Sequence, residues 1–134
     1  MNARLSPHLK ALLDSPVFVI LATVQPDGSP QLSPVWVTRD EDDILISTTI
    51  GRRKEKNLRR DPRAALVVQS AAAPYSYAEV RGPATITTEG GPELIDVLAI
   101  KYTGTNYAGF NPDAVHDTQR VIVRITPHKV LGNI

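Results

Sequence analysis

Short apolar segments alternate with turns rich in proline, glycine and acidic residues along most of this chain. Runs of about six to eight residues with many β-branched side chains are typical of β-strands. Short turns between successive runs favour antiparallel pairing, which predicts a closed or partly split β-barrel with few, peripheral helices. The six predicted strands are Val17–Val24, Gln31–Thr38, Ile44–Thr49, Arg63–Ser70, Tyr75–Glu89 and Arg120–Pro127.

Helical patterns lie between these strands. Ser6 before Pro7 predicts the start of a helix that stops before Ser15-Pro16. A second amphipathic helix is predicted over 91–104, with leucine, valine and isoleucine on one side. The polar residues 103–118 predict a loop. Val17–Val24 is so uniformly apolar that we expect a strand buried on both faces.

The chain has 134 residues, which suits one domain spanning residues 1–134. It contains no cysteine, which excludes disulfides, thiolate metal sites and thiol nucleophiles. No apolar run approaches the roughly 20 residues that span a bilayer, and no signal peptide is evident. We therefore expect a cytoplasmic protein without membrane contact.

Charge changes the picture in one place. From Arg52 to Arg63, seven of twelve residues are basic and two are acidic, while the other residues carry 8 basic and 12 acidic side chains. As a helix, Arg52–Arg60 has one obvious apolar residue, Leu58, and Glu55 can pair with Arg59 one turn later. A helix start just after Ser47, Thr48 and Thr49 would bring free N–H groups, hydroxyls and cations together, an arrangement that binds phosphate or carboxylate. A solvated helix with surplus charge is the alternative.

The sequence gives little support for nucleic-acid binding, metal binding or nucleophilic catalysis. Nucleic-acid binding is disfavoured because the net charge is only +1 and no aromatic residue lies in the basic stretch. His8, His116 and His128 lack metal-ligand spacing, and no Gly-x-Ser-x-Gly nucleophile motif occurs. We expect no catalytic side chain and no metal. If the protein is an enzyme, a bound cofactor should carry the reaction.

Four segments together resemble the pyridoxamine 5′-phosphate oxidase-like split-barrel flavoproteins, and among these the deazaflavin (coenzyme F420)-dependent reductases. They are "ILATVQPDGSPQLSPVWV", "ILISTTIGRRKEKNLRRDPRAALVV", "AEVRGPATI" and "RVIVRITPHKVLG", in that order. The resemblance covers about residues 8–132. It implies a six-stranded antiparallel split β-barrel that forms a two-fold homodimer, with two cofactor sites at the subunit interface.

The resemblance also implies a cofactor site by position. The ring would lie against Gln31, Leu32, Ser33, Val35 and Trp36, and the partner subunit would close over it near Tyr75 and Tyr77. The ribityl chain and phosphate would lie against Ser47, Thr48 and Thr49. The phosphate and the acidic tail would be held by Arg52, Lys54, Lys56 and Asn57. Pro34 offers no hydrogen-bond donor to a ring heteroatom. Core packing remains an equal alternative for Trp36.

The function that follows is hydride transfer from reduced coenzyme F420 to a small electron-poor acceptor such as an enone or a quinone. Seven cations exceed what the single phosphate of FMN requires, which favours the deazaflavin and its carboxylate tail. Two alternatives stay open: an FMN-dependent oxidoreductase of the same fold, and a non-catalytic carrier of the cofactor.

Overall fold

The structure is a computed structural model that describes residues 2–114 and 119–134. Its helices are α1 (Pro7–Asp14), α2 (Arg53–Arg60), α3 (Gly91–Thr103) and α4 (Tyr107–Phe110), with a 3₁₀ turn at Pro112–Ala114. Its strands are β1 (Val19–Val24), β2 (Pro30–Val35), β3 (Thr38–Asp40), β4 (Asp43–Thr49), β5 (Arg63–Gln69), β6 (Tyr77–Thr87), β7 (Arg120–Ile125) and β8 (Lys129–Gly132).

All strand pairs in the described residues are antiparallel, in the order β2-β1-β5-β6-β7-β4-β3, with β8 beside β6. The sheet curls around one core without closing, so the predicted antiparallel split barrel is confirmed. The predicted number of six strands is wrong, because the described residues form eight. The acidic segment 39–43, expected to be only a hairpin tip, contributes to β3, and the chain after Pro127 continues as β8.

The bend in β6 joins the two halves of the sheet. Residues 77–83 pair with β5 on one side, while residues 84–87 pair with β7 on the other. β8 follows β7 along that second side, across a short irregular link at Thr126-Pro127. A Cβ atom on Gly82 would lie only 1.9 Å from the carbonyl oxygen of Thr126. The absence of a side chain at Gly82 therefore lets the link pass over the bend.

The core lies inside the curled sheet and is closed at one end by α1. Ser6 caps α1 by accepting the Leu9 N–H at 3.1 Å, as the sequence predicts, and Leu9 and Leu13 are fully buried. Alternate residues of each strand, such as Leu21 on β1, face this core. The prediction that β1 is buried on both faces is wrong, because Ile20 on its other face is 38% exposed.

The remaining helices lie at the borders of the sheet. α3 packs against β7 and buries Leu94, Ile95 and Leu98. The loop predicted over 103–118 contains α4 and the 3₁₀ turn up to residue 114, and 115–118 lie outside the described residues. Within the described part of the chain, no helix has the length and apolar character needed to cross a membrane.

Candidate functional site

A cavity of about 430 Å³ opens where the end of β2 meets α3, α4 and the beginning of β7. Most of its wall is apolar or aromatic, and its polar groups are a serine, a lysine, a tyrosine and an arginine. The lining residues are Phe18, Pro34, Val35, Trp36, Ser47, Lys54, Ile95, Leu98, Tyr107, Phe110 and Arg120. An aromatic pocket with a few convergent polar groups is the usual form of a small-molecule site.

The aromatic wall is built around Trp36. Its indole stacks on the ring of Tyr102, with centroids 5.2 Å apart and planes 12° apart, and meets the edge of Phe110 at 5.4 Å. The hydroxyl of Tyr102 accepts the Val37 N–H at 3.0 Å and donates to the Val17 carbonyl, which ties α3 to both ends of this wall. Trp36 therefore packs against Tyr102 and Phe110 and also lines the cavity.

Lys54 of α2 and Arg120 of β7 line the polar end of the cavity, and Arg52 lies just before α2. Nη1 of Arg120 lies 3.5 Å from Ser47 Oγ, and Nε of Arg52 donates to Thr49 Oγ1 at 3.3 Å. Burial and the charges of Arg52 and Arg120 lower the pKa of Lys54, because all three disfavour a charged ammonium there. Lys54 and Arg120 thus present two cationic side chains to the cavity, and Arg52 adds a third positive charge near Lys54.

The turn that precedes α2 is already hydrogen-bonded within the protein. The N–H groups of Ile50, Gly51 and Arg52 already donate to protein oxygens. The Gly51 partner is the carboxylate of Glu55, at 2.8 Å, which also makes the predicted pair with Arg59. Glu55 is buried, with a relative exposure of 3%, although a charged residue of this helix would be expected to face water. The three N–H groups of this turn are therefore bonded within the protein, and the cationic side chains beside it offer charge for an anion.

Asn57 and Gln31 belong to a buried polar network that ties α2 to β1 and β2. The Asn57 side-chain amide donates to Thr23 Oγ1 at 3.0 Å and to Gln25 Oε1 at 3.3 Å, and Thr23 donates to Gln31 Oε1 at 2.7 Å. Asn57 is fully buried. In this arrangement Gln31 and Asn57 connect β2 to α2 through Thr23 of β1.

The remaining predicted site residues lie outside the cavity lining. Lys56 and Arg52 are solvent-exposed on or beside α2, while Thr48 and Thr49 are buried. Tyr75 and Tyr77 are 91% and 42% exposed at the beginning of β6. The cavity thus brings together four of the predicted residues, namely Val35, Trp36, Ser47 and Lys54.

The free edge of β2 explains the proline pattern beside the predicted ring site. β2 ends the strand order, and proline is tolerated where the missing N–H would point away from the neighbouring strand. Pro30 and Pro34 mark these positions, so Leu32, which lies between them, directs its N–H to the free edge. The Leu32 N–H is therefore a hydrogen-bond donor at the free edge of β2, where Pro34 has no N–H.

Sequence reasoning missed Arg120, Tyr107, Phe110 and Phe18. Arg120 is the register partner of Thr49 across the β4–β7 ladder, so correct strand pairing would have found it. Tyr107 and Phe110 lay in the segment assigned to a loop, where the sequence offered no periodic signal. Their position depends on α4 packing against α3, which is a tertiary contact.

The side chains present fit an anionic cofactor with a polar ring. Ser33 Oγ is buried and has no hydrogen-bond partner within the part of the chain that the structure describes. Ser33 lies between Gln31 and Val35 on the core-facing side of β2, and a buried hydroxyl gains stability from a ligand that bonds it. The three cations supply charge for a phosphate. No cluster of metal-binding side chains occurs among the described residues, and His116 lies outside them.

Comparison with known proteins identifies the family of this chain. A sequence profile of the pyridoxamine 5′-phosphate oxidase family matches residues 5–133, so the chain belongs to that family. The fold is similar to a solved F420 reductase, with a TM-score of 0.82, 29% identity, and coverage of 95% of this chain and 98% of the other.

Two further structures extend the comparison. A conserved hypothetical protein from Mycobacterium tuberculosis is similar with a TM-score of 0.75 and 26% identity, covering 96% of this chain and 84% of the other. General stress protein 26 from Bacillus anthracis, at 18% identity, TM-score 0.64 and 92% coverage of each chain, has the same fold. The resemblance seen in the sequence is confirmed.

Proposed function

We propose that this protein is a cytoplasmic, single-domain oxidoreductase that uses reduced coenzyme F420 to reduce a small electron-poor acceptor, such as an enone or a quinone. The observation that carries the proposal is the pairing of an aromatic cavity with the three cations Arg52, Lys54 and Arg120. Similarity to an F420 reductase over nearly the whole chain supports the choice of cofactor. Reduced deazaflavin would supply the hydride.

The residues of the chain bind and orient the reactants. Val35 and Trp36 form an apolar surface for a flat ring, and the Leu32 N–H at the free edge of β2 would be a donor to a ring heteroatom. Lys54 and its neighbouring cations would hold the phosphate and the acidic tail by charge-assisted hydrogen bonds. Exposed Lys56 can meet the tail only where the tail leaves the cavity. Holding the ring against an apolar wall fixes its orientation and excludes water, which favours hydride transfer.

Two alternatives follow from the same site. FMN would occupy the ring surface with a single phosphate, and a carrier would bind either cofactor without turnover. The deazaflavin is preferred because a group of three cations, with further cations along α2, exceeds the demand of one phosphate.

Cofactor binding with fluorescence detection tests the proposal. Saturating F420 should quench most of the emission of Trp36, the only tryptophan, because the ring would lie beside the indole. Affinity for F420 should exceed that for FMN, and the reduced F420 complex should convert an enone or a quinone. Tight FMN binding without F420 affinity would select the FMN enzyme, whereas binding of F420 without turnover of any acceptor would select the carrier.

The homodimer is part of the proposal, and the outer face of the sheet is where we place its interface. On this face Ile20 is 38% exposed, and its register partners are Pro34 on β2 and Val67 on β5. Pro34 also lines the cavity, so the apolar face begins where the cavity ends. A second copy seated on this face would border the ring site, and the exposed Tyr75 and Tyr77 of each copy would be available to it.

Replacing Ile20 by glutamate should convert the dimer into a monomer, because it places a charge in the centre of an apolar contact. Val97→Glu is the matched control, since Val97 is 54% exposed on α3 and lies on another surface. Light scattering at micromolar concentration gives the mass of each variant. A dimer that persists in Ile20→Glu, or a wild-type monomer of 14.6 kDa with bound cofactor, would refute this interface.

A further inference from the structure

Among the tyrosines of this chain, Tyr107 is the one whose side chain lines the cavity. The chain has four, at positions 75, 77, 102 and 107. Tyr75 and Tyr77 are exposed at the beginning of β6. The hydroxyl of Tyr102 makes hydrogen bonds to two backbone groups. Tyr107 is therefore the phenol placed beside a bound reactant.

Arg120 orients the hydroxyl of Tyr107. Its Nη2 donates to the hydroxyl oxygen at 2.6 Å, and its guanidinium carbon lies 4.7 Å from the centre of the tyrosine ring. A phenol can both accept and donate a hydrogen bond. Because the oxygen already accepts from Arg120, the hydroxyl hydrogen remains for a ligand, and within the described residues no protein acceptor takes it.

The backbone around Tyr107 is fixed as firmly as its side chain. Its N–H donates to Asp96 Oδ1 of α3 at 2.9 Å, and Asn106 caps α4 by accepting the Gly109 N–H at 2.8 Å. Phe110, at the other end of α4, packs on Trp36. These contacts hold the hydroxyl at one position in the wall of the cavity.

We propose that Tyr107 is the proton donor that completes reduction of the acceptor, an inference that rests on the proposed function. Hydride addition to one carbon of an activated C=C bond moves the π electron pair toward the carbonyl and leaves an enolate. The O–H bond of Tyr107 breaks as its proton passes to that enolate, and water returns a proton to the phenolate. The Arg120 guanidinium faces the oxygen that carries the negative charge in between.

Among the described residues, the charged groups around Tyr107 come from three elements. Arg120 on β7 contacts the hydroxyl and ring, Asp96 on α3 contacts the backbone N–H, and Lys54 on α2 lines the same cavity.

The test uses the full chain with reduced F420 and cyclohexenone as the acceptor. Tyr107→Phe should lower kcat by about 100- to 10,000-fold, the usual contribution of a general acid, while the dissociation constant of F420 stays the same. Phe110→Leu disturbs α4 without removing the hydroxyl, and it should lose much less of kcat than Tyr107→Phe.

A second readout needs no activity. Fluorescence titration gives the dissociation constant of F420, which should be equal in wild type and Tyr107→Phe. Unchanged kcat in Tyr107→Phe, or an equally large loss of kcat in Phe110→Leu, would overturn the donor role alone. A wild type that turns over no acceptor would overturn the proposed function together with the donor role.

Discussion

Lys54→Glu should weaken F420 binding by at least about tenfold, or roughly 1.4 kcal/mol. Each charge-assisted hydrogen bond to the phosphate or tail contributes about 1.5–3 kcal/mol. The substitution removes one and adds repulsion inside a half-buried cavity. The variant should still fold, because its carboxylate would lie beside Arg52 and Arg120, whose charges now disfavour an ammonium there. Fluorescence titration with F420 and FMN measures the effect, which should be smaller for FMN because it lacks the tail.

Arg53→Glu is the matched control for this charge change. Arg53 is exposed and adjacent in sequence, but it is absent from the cavity lining. Affinity of the wild type should fall with added salt, and that dependence should be flatter in Lys54→Glu than in Arg53→Glu. Equal F420 affinity in wild type and Lys54→Glu would remove Lys54 from the binding site.

The lowered pKa of Lys54 predicts that F420 affinity falls with rising pH while the free energy of unfolding of the cofactor-free protein rises. Since the pKa of Lys54 is lowered from its ordinary value of 10.5, the folded protein loses the ammonium proton of Lys54 at a lower pH than the unfolded chain does. F420 affinity should therefore decline as the pH rises through the lowered pKa. Over the window up to 10.5, the free energy of unfolding without cofactor should gain a contribution, because the unfolded state binds more protons. Lys54→Arg should remove both changes.

Gly82→Ala should lower the free energy of unfolding by at least about 3 kcal/mol, a large share of the stability of a small protein. The new Cβ would lie 1.9 Å from the carbonyl oxygen of Thr126, 2.8 Å from its carbonyl carbon and 3.2 Å from the backbone nitrogen of His128. These are backbone atoms and cannot rotate away. The link between β7 and β8 would have to move off the bend of β6.

Gly28→Ala is the natural comparison for this loss. Gly28 has φ +88° in the β1–β2 turn, and a Cβ there would meet nothing within 4 Å. Alanine at this position should cost only the strain of a left-handed backbone, about 1–2 kcal/mol. Denaturant unfolding of both variants gives the two losses. If Gly82→Ala loses no more than Gly28→Ala, the close approach at the bend is not a feature of the folded protein.

Local patterns in the sequence were sufficient for most of the elements. Ser6-Pro7 set the start of α1, Asp61-Pro62 ended α2, and the alternation in Ile44–Thr49 and Arg120–Ile125 marked strands that do pair. These features depend on neighbouring residues, since caps, proline geometry and side-chain alternation act within a few positions. The strand count failed where short strands carry no apolar signal, as in the polar β3.

Because such patterns are local, the sequence predicted only the part of the candidate site that neighbouring residues form. The sequence placed Ser47 and Lys54 beside each other because a short turn joins β4 to α2. Arg120 and Tyr107 reach the same cavity from 66 and 53 residues beyond Lys54, counting positions 54, 120 and 107. Their placement depends on the β4–β7 register and on α4 packing against α3.

The sequence by itself determined an antiparallel β fold, a basic segment of unusual charge and, through its motifs, the family. Tertiary structure alone decided which charges face a ligand. Glu55 and Asn57 lie in the most polar helix of the chain, yet they are buried because their hydrogen-bond partners, Gly51 and Thr23, offer what water would otherwise provide. Burial of a polar group depends on such partners, and partners from distant segments meet only in the folded chain.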